Sequence, residues 1–455
     1  ELKTIDILTN GSLHKIRNPE KYDLVIIDEA HKFRNDTAEA YQELQRICKT
    51  PTKNILDDGS RASKKIILVS ATPLNNRPDD IRNQVLLFQD AKDSTLDLSN
   101  LQSFFAKKIE KYRDILKNET DIPLAQKKIA KIYESIREKV IIPLTVRRTR
   151  TDLVAHDLYR KDLEEQGIIF PEIQKPKKLF YQLDEKFEDL YDKTIRTLNS
   201  SESGLQYYRY RTTEFLKPEL KSKYKNADHL SFQLAKLMKS LLVKRIDSSF
   251  YAFKSSLKRL HDASKVLIEM FDKDKVIIAP NERVTDYIME GREQELINRI
   301  EKTKDTDPNN TICSASDFED GYLEGLLEDH KIIENLYNAW QQIDDDNNDP
   351  KLDEFIDKLN NELLSSNINK NKKLVVFTES KETISHISKN LARKGFNKIL
   401  TISSENRNSM KNVIAENFDA NIDIEKQKND HDIIITTEVL AEGINLHRSN
   451  VIVNY

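Results

Sequence analysis

The densest chemistry in the sequence stands where a short apolar run ends: Leu24-Val25-Ile26-Ile27 leads into Asp28-Glu29-Ala30-His31. A carboxylate at such a strand end can hold Mg²⁺ against nucleotide phosphates, usually through water. Its neighbour is placed to orient or deprotonate an attacking water. The same two residues also suit a helix N-cap and first turn. His31 has no His-x-x-x-His spacing and no cysteine nearby for a metal, so local evidence allows it to cap or pack. A second run, Ile66-Ile67-Leu68-Val69, ends in Ser70-Ala71-Thr72-Pro73. Arg147 and Arg148 are adjacent guanidinium groups that fit phosphates bidentately or pin the chain by pairing with carboxylates. Lys244, Arg245, Lys254, Lys258 and Arg259 alternate with Phe250, Tyr251 and Phe253. Those rings could stack on bases, but their helical spacing also suits a core. In Glu442-Gly443-Ile444-Asn445 the glycine lets the backbone approach a phosphate closely, or simply turns the chain.

The elements that must carry these residues can be read from apolar spacing. The runs at 24–27 and 66–69 lack polar alternation, which suits strands buried on both faces of a parallel sheet. Residues 36–49 between them are helix-like, with Ala40, Leu44 and Ile47 at helical spacing. Together they predict a βαβ unit with ligands at the carboxyl ends of its strands. Residues 371–455 repeat that grammar: Leu374-Val375-Val376-Phe377, a helix over 383–393 stopped by Gly395, then Ile399-Leu400-Thr401-Ile402, Ile433-Ile434-Ile435 and Val451-Ile452-Val453. The middle, about 95–365, shows strand character only near 178–183. Leu234, Met238, Leu241, Leu242, Phe253, Leu257 and Leu260 predict one face of a long helix or a helix pair. The polar stretches 302–317 and 344–350 read as exposed loops.

The chain has 455 residues, 73 Lys+Arg and 76 Asp+Glu, a net charge of −3. That near-balance hides an asymmetry. Residues 205–275 hold 16 basic against 8 acidic side chains, whereas residues 276–366 hold 8 against 23. A polyanion is drawn to the first stretch and repelled by the second, unless both are merely solvated helix faces. Two cysteines exclude a disulfide framework and point to a reducing, cytoplasmic setting. No apolar stretch is long enough for a membrane helix. None of the nine glycines is followed by Lys, so there is no phosphate loop ending in Gly-Lys-Ser/Thr.

Taken in order, these motifs resemble superfamily 2 helicases and translocases. Asp28-Glu29-Ala30-His31 resembles motif II, of DEAH-box type, and Ser70-Ala71-Thr72 resembles motif III. The stretch 68–76 is similar to the SWI/SNF-like branch, as is the double arginine in Leu144-Thr145-Val146-Arg147-Arg148. Leu374 to Thr378 resembles motif IV, and Thr436 to Leu446 resembles motif V. Val243 to Phe253 is similar to a helical insertion of bacterial members. Those members sit close to RNA-polymerase-recycling ATPases and to helicases with a phospholipase-D-like nuclease domain.

The resemblance implies an α/β fold of two incomplete RecA-like parallel-sheet lobes with large helical insertions. It divides the chain into residues 1–95 (part of the first lobe), 96–170 (helical protrusion and linker), 171–370 (start of the second lobe with its insertion) and 371–455 (second lobe). It implies ATP and Mg²⁺ as cofactors and DNA as partner, duplex favoured and RNA left open. A nuclease domain or subunit would lie outside these residues. Asp28 would hold Mg²⁺ and Glu29 polarise the attacking water. His31, Ser70, Ala71 and Thr72 would couple the nucleotide site to movement. Gly443 and Asn445 would approach nucleotide, while Arg147, Arg148, Thr378, Thr437, Lys244 and Arg245 would contact nucleic acid.

The family's phosphate loop and its final Gln…Gly-Arg…Arg motif are both missing from these residues; the only Gly-Arg pair, Gly291-Arg292, lies in the acidic stretch. An arginine finger alone is worth ~10³–10⁵ in related phosphoryl transfers. The expectation is therefore a fragment of an ATP-dependent DNA translocase with little ATPase activity of its own. The alternatives are a catalytically dead binding module, or the motor of a restriction or defence nuclease.

Overall fold

The structure, a computed structural model, describes residues 5–36, 38–70, 77–98, 100–119, 121–170, 172–200, 203–224, 227–279, 295–296, 298, 310–342, 349–441 and 443–455. The chain forms two compact units, Glu1–Gln174 and Lys175–Tyr455.

In the first unit, β1 (Leu24–Ile27) and β2 (Lys65–Leu68) pair in parallel, with Ile26 opposite Ile67. The connecting helix α1 (Glu39–Lys49) turns Tyr41, Leu44, Ile47 and Cys48 inward. Ala40, expected on that face, is exposed, because the buried set Tyr41, Leu44 and Cys48 follows i, i+3, i+7 from the next residue. Ile27, Ala30, Phe33 and Leu87 complete this core. The expectation of strands buried on both faces is corrected here. Alternate residues of the pair face solvent: Ile26 is 62% exposed, and Leu24, Ile67 and Val69 are exposed with it. Among the described residues only one face of the pair is covered. Beyond it, α2 (Pro78–Val85), α3 (Leu101–Asn118) and α4 (Ile122–Ile136) pack Ile81, Val85, Leu101, Phe105, Ile109, Ile132 and Ile136 together. Asn100 and Asp121 start α3 and α4 as N-caps, accepting the Ser103 and Leu124 backbone N–H groups. Two short helices, α5 (Arg150–Ala155) and α6 (Asp157–Glu165), follow.

The second unit joins a helical body to a four-stranded sheet. In the body, α7 (Glu185–Asn199), α8 (Ala227–Ser248) and α9 (Phe250–Asp272) pack with α10 (Tyr322–Ala339). The expected helix pair is present, broken at Ser249, whose hydroxyl accepts the Ala252 N–H and caps α9. Leu242, Phe253, Leu257 and Leu260 are buried as expected, around the fully buried Trp340. Leu234 and Leu241 instead lie on the outer face, and Ala235 and Ile246 take the core positions. With apolar residues on both sides of α8, spacing alone did not fix its rotation. The strand expected near 178–183 is absent, and an antiparallel pair not expected is present: β3 (Val276–Ile278) with β4 (Thr311–Cys313). Of the two loops expected, residues 302–309 and 344–348 lie outside the described residues, and Asp349 is buried.

After α11 (Pro350–Lys358) come β5 (Leu374–Phe377), α12 (Lys381–Arg393), β6 (Ile399–Ile402), α13 (Lys411–Phe418), β7 (Ile433–Thr436) and β8 (Val451–Asn454). All four strands are parallel, in the spatial order β6-β7-β5-β8. Alternation divides their side chains between two layers. Leu374, Val376, Ile433 and Ile435 meet α11 and α12 on one face. Val375 and Ile434 meet Ile414 and Phe418 of α13 on the other. Both faces of this sheet are covered, as an apolar parallel sheet requires. Gly395, at φ +92°, ends α12 in the left-handed region that suits glycine. The fold is thus α/β with parallel sheets and a large helical share.

Candidate functional sites

In the first unit, the ends of β1 and β2 bring three of the expected site residues together. The Glu29 carboxylate Oε2 lies 3.1 Å from His31 Nδ1. Ser70 Oγ lies 3.4 Å from the same nitrogen. A carboxylate only accepts, so this geometry assigns the imidazole proton to Nδ1. Two backbone features hold the turn. The Ala30 N–H donates to the Val69 carbonyl at 3.0 Å, tying the end of β1 to that of β2. Glu29 itself is left-handed, φ +51° and ψ +45°. That conformation costs a non-glycine residue about 1–2 kcal/mol and recurs where function requires it. Asp28 is exposed, and its Oδ1 accepts the Glu29 N–H at 2.9 Å.

Two neighbouring carboxylates fit Mg²⁺, which takes one or two protein carboxylates and completes its shell with water and phosphate oxygens. Among the described residues no group of three or more His, Cys, Asp or Glu side chains is arranged for a metal held by protein alone. Ala71 and Thr72 lie outside the described residues. Arg147 and Arg148 are exposed in an extended stretch before α5, with Arg148 Nη1 donating to the Arg147 carbonyl at 2.8 Å. Their charges contribute to holding the Asp152 carboxyl below its usual range, after the larger effect of the Thr149 hydroxyl and N–H. Among the described residues no ion pair fixes either arginine's side chain.

In the second unit, the expected residues sit at the carboxyl ends of β5 and β7. Thr378 is buried; its N–H donates to the Thr436 carbonyl at 2.8 Å and its hydroxyl to the Ser380 carbonyl at 3.2 Å. Its hydroxyl is thereby turned into the loop that starts α12. Thr437 is half-buried and begins a single helical turn, Glu438–Leu440. Gly443 and Asn445 are exposed, and Gly443 is left-handed at φ +72°. A methyl group there would meet Arg407 Nη2 at 3.5 Å. Arg407, from the loop after β6, was not singled out from the sequence, yet it faces this glycine. Glu442 lies outside the described residues.

Lys244 is exposed on α8. Arg245 is half-buried and committed: its Nη1 lies 3.3 Å from Glu382 Oε2. Arg259 of α9 binds the other oxygen of the same carboxylate. Burial pushes the Glu382 carboxyl up, but the Arg259 hydrogen bond, its own backbone N–H and the two guanidinium charges overcome that and hold it at about 2. One turn further along α12, the Tyr251 ring stacks on His386 at 4.3 Å, nearly parallel. His386 Nε2 in turn meets Asp349 Oδ2 at 3.1 Å in a buried pair. Lys351 donates to the Asp247 and Ser248 carbonyls, closing the end of α8. The α8–α9 elbow is thus keyed into α11 and α12. Sequence reasoning missed Glu382; the signal available was a helix start, Ser380-Lys381-Glu382, placed directly after a strand and downstream of a basic stretch.

Residues 354–455 match the helicase conserved C-terminal domain. This segment contains the whole four-stranded sheet and the loops bearing Thr378, Thr437, Gly443 and Asn445. A comparison with curated proteins gave no match. Among solved structures, the chain is similar to the helicase domain of Hef from Pyrococcus furiosus, at 12% identity over 98% of this chain and 68% of that one, with a TM-score of 0.27. No helix among the described residues is long and apolar enough to cross a membrane.

Proposed function

We propose that these residues are part of an ATP-driven nucleic-acid motor of the helicase class, acting on duplex DNA. The observation that carries the reading is the helicase C-terminal domain at 354–455, joined in one chain to a βαβ unit whose strand ends gather Glu29, His31 and Ser70. Bound Mg²⁺ and ATP would supply the electrophilic phosphorus and the charge that its transfer redistributes. Asp28 would hold the metal through water. Glu29 would orient the attacking water, and its contact with His31 keeps the carboxylate over the β1–β2 ends. His31, Ser70, Ala71 and Thr72 would pass the state of the nucleotide to the rest of the motor. Gly443, whose lack of a side chain leaves the backbone open, and Asn445 would approach nucleotide. Lys244, Arg147, Arg148 and Thr437 would meet the nucleic-acid backbone. Arg245 and Thr378 support this reading less directly, because each is already bonded within the second unit.

Two buried free thiols, Cys48 and Cys313, fit a reducing cytoplasmic setting. The likeness of the stretch 68–76 and of the double arginine Arg147-Arg148 to the SWI/SNF-like branch favours movement on duplex DNA without strand separation. A second reading, a binding module without ATPase activity, rests on the absence of any Gly-Lys in the sequence. The test is DNA-stimulated ATP hydrolysis by the natural chain that contains these residues. The double variant Asp28→Ala, Glu29→Ala should lose at least 10³-fold in kcat. Hydrolysis that survives the double substitution refutes the assignment. DNA binding with no hydrolysis in the natural chain selects the second reading.

A further inference from the structure

We infer that Arg245 and Arg259 form a binding site for a nucleic-acid phosphate, and that Glu382 occupies it as an internal mimic that masks it. The inference rests on the nucleic-acid reading above. The geometry is that of an anion site. Two guanidinium groups from different helices converge on the two oxygens of one carboxylate, Arg245 Nη1 on Oε2 and Arg259 Nη1 on Oε1. Guanidinium N–H groups make charge-assisted hydrogen bonds to carboxylate and phosphate oxygens alike, so a phosphate can take the place of the carboxylate.

The cluster is open to solvent. The Arg259 side chain is 58% exposed, and those of Arg245 and Glu382 are about a quarter exposed. Its charge is favourable even when masked, since two cations share one anion. The exposed Lys244 and Lys258 stand on the same two helices. Arg259 Nη2 also lies 3.3 Å from Ser256 Oγ, which holds the guanidinium on α9 while Nη1 changes partner. Glu382 stands in the first turn of α12, two residues beyond the Ser380 cap that receives the Thr378 hydroxyl through its carbonyl. Exchange of carboxylate for phosphate would therefore untie the first turn of α12 from the two arginines while its Ser380 cap stays in place.

The mask makes a prediction opposite in sign to that of a structural ion pair. Glu382→Gln in the natural chain that contains these residues frees two arginines. Duplex-DNA affinity, followed by fluorescence anisotropy, should rise about 10-fold at 0.1 M salt, and the slope of log K against log salt should steepen by about 1–2. Glu405→Gln removes one negative charge from the exposed partner of Lys381 and should give neither change. Adding Arg259→Gln to Glu382→Gln should abolish the gain. Glu382→Asp, which keeps the charge but draws it back, should give a smaller gain in the same direction, and it carries the test if the Gln variant does not fold. Unchanged or weaker binding by folded Glu382 variants overturns the mask. So does an equal gain from Glu405→Gln, or a gain that persists without Arg259.

If neither the wild-type chain nor any variant binds duplex in a salt-dependent way, the nucleic-acid reading itself fails. Inorganic pyrophosphate provides the arm that separates the two failures. Its stabilisation of Glu382→Gln, absent in the wild type, would keep the phosphate site while rejecting DNA as its occupant.

Discussion

Gly325, on the inner face of α10, allows a stability change to be worked out against the usual helix rule. Replacing glycine by alanine inside a helix ordinarily stabilises by about 1 kcal/mol. Here the added Cβ would stand 2.3, 2.5 and 2.6 Å from three atoms of the Tyr208 ring. Carbon contacts settle at about 3.5–4.0 Å, so the ring would have to retreat by more than about 1 Å. It has little freedom to do so. Phe215 and Tyr322 lie at centroid distances of 5.3 and 6.1 Å, and the Arg211 guanidinium at 5.3 Å. The Tyr208 N–H is also fixed, donating at 2.7 Å to Asp329 one turn along the same helix. Overpacking of this kind costs about 1–3 kcal/mol. Set against the helix gain, Gly325→Ala should lower stability by up to about 2 kcal/mol. In a Tyr208→Ala background the obstacle is gone, and the same substitution should raise stability by up to about 1 kcal/mol. Urea unfolding followed by the fluorescence of Trp340, the single tryptophan, reads both changes within the same unit. A higher midpoint for Gly325→Ala in the wild-type background, equal to its effect without Tyr208, would refute the packing argument.

Three further outcomes follow from the same structure. Burial raises the Asp329 carboxyl to about 6, against the opposing pull of the Gln206 and Tyr208 N–H groups. A carboxyl raised above its unfolded value binds its proton more tightly when folded, so stability from this group is greatest below about pH 4 and declines as pH rises to 6, by on the order of 2–3 kcal/mol. In Asp329→Asn that decline should vanish from the melting temperature measured between pH 4 and 6; an unchanged profile would count against it. Glu382 has the opposite sign. Its carboxyl, held at about 2, contributes stability above pH 4.5 that is lost as pH falls through 2. Allowing for solvent screening, about 1 kcal/mol should separate wild type from Glu382→Gln at pH 5 and disappear in acid titration by pH 2. Finally, Gly443→Ala should be strained by the left-handed φ of +72°, at a cost of about 1 kcal/mol. Gly443→Asn, which tolerates that conformation, should recover most of it in thermal melts, whereas equal melting of the two variants would show that the turn relaxes.

What the sequence made legible was local and repetitive. Leu24–Ile27 and the four apolar runs after residue 371 declare themselves as strands, because each is a short β-branched run between polar punctuation. Parallel order follows from the helices between them. What stayed hidden depends on partners far along the chain. Val276–Ile278 is too short to stand out, and its partner Thr311–Cys313 carries a polar residue at its start. In α8 apolar residues lie all round the helix, so burial of Ala235 in preference to Leu234 is settled by packing against α7 and α9. At the candidate sites, residue type located Asp28, Glu29 and His31. Only the folded β1–β2 turn shows that Glu29 and Ser70 share one imidazole nitrogen. The Glu382 contact spans 137 and 123 residues to its two arginines, a pairing that charge content cannot identify.

The uncovered side of the β1–β2 pair bears on how the protein behaves at high concentration. Ile26, Ile67, Leu24 and Val69 form an apolar plate, and among the described residues each strand has one edge with no neighbouring strand. Such a surface can recruit a second molecule both by burying the plate and by extending the ladder. Within the two strands Lys65, exposed and paired with Leu24, is the one charged residue and is placed to act as a gatekeeper. Light scattering of the concentrated chain should therefore rise when Lys65 becomes Val and fall when Ile26 becomes Lys.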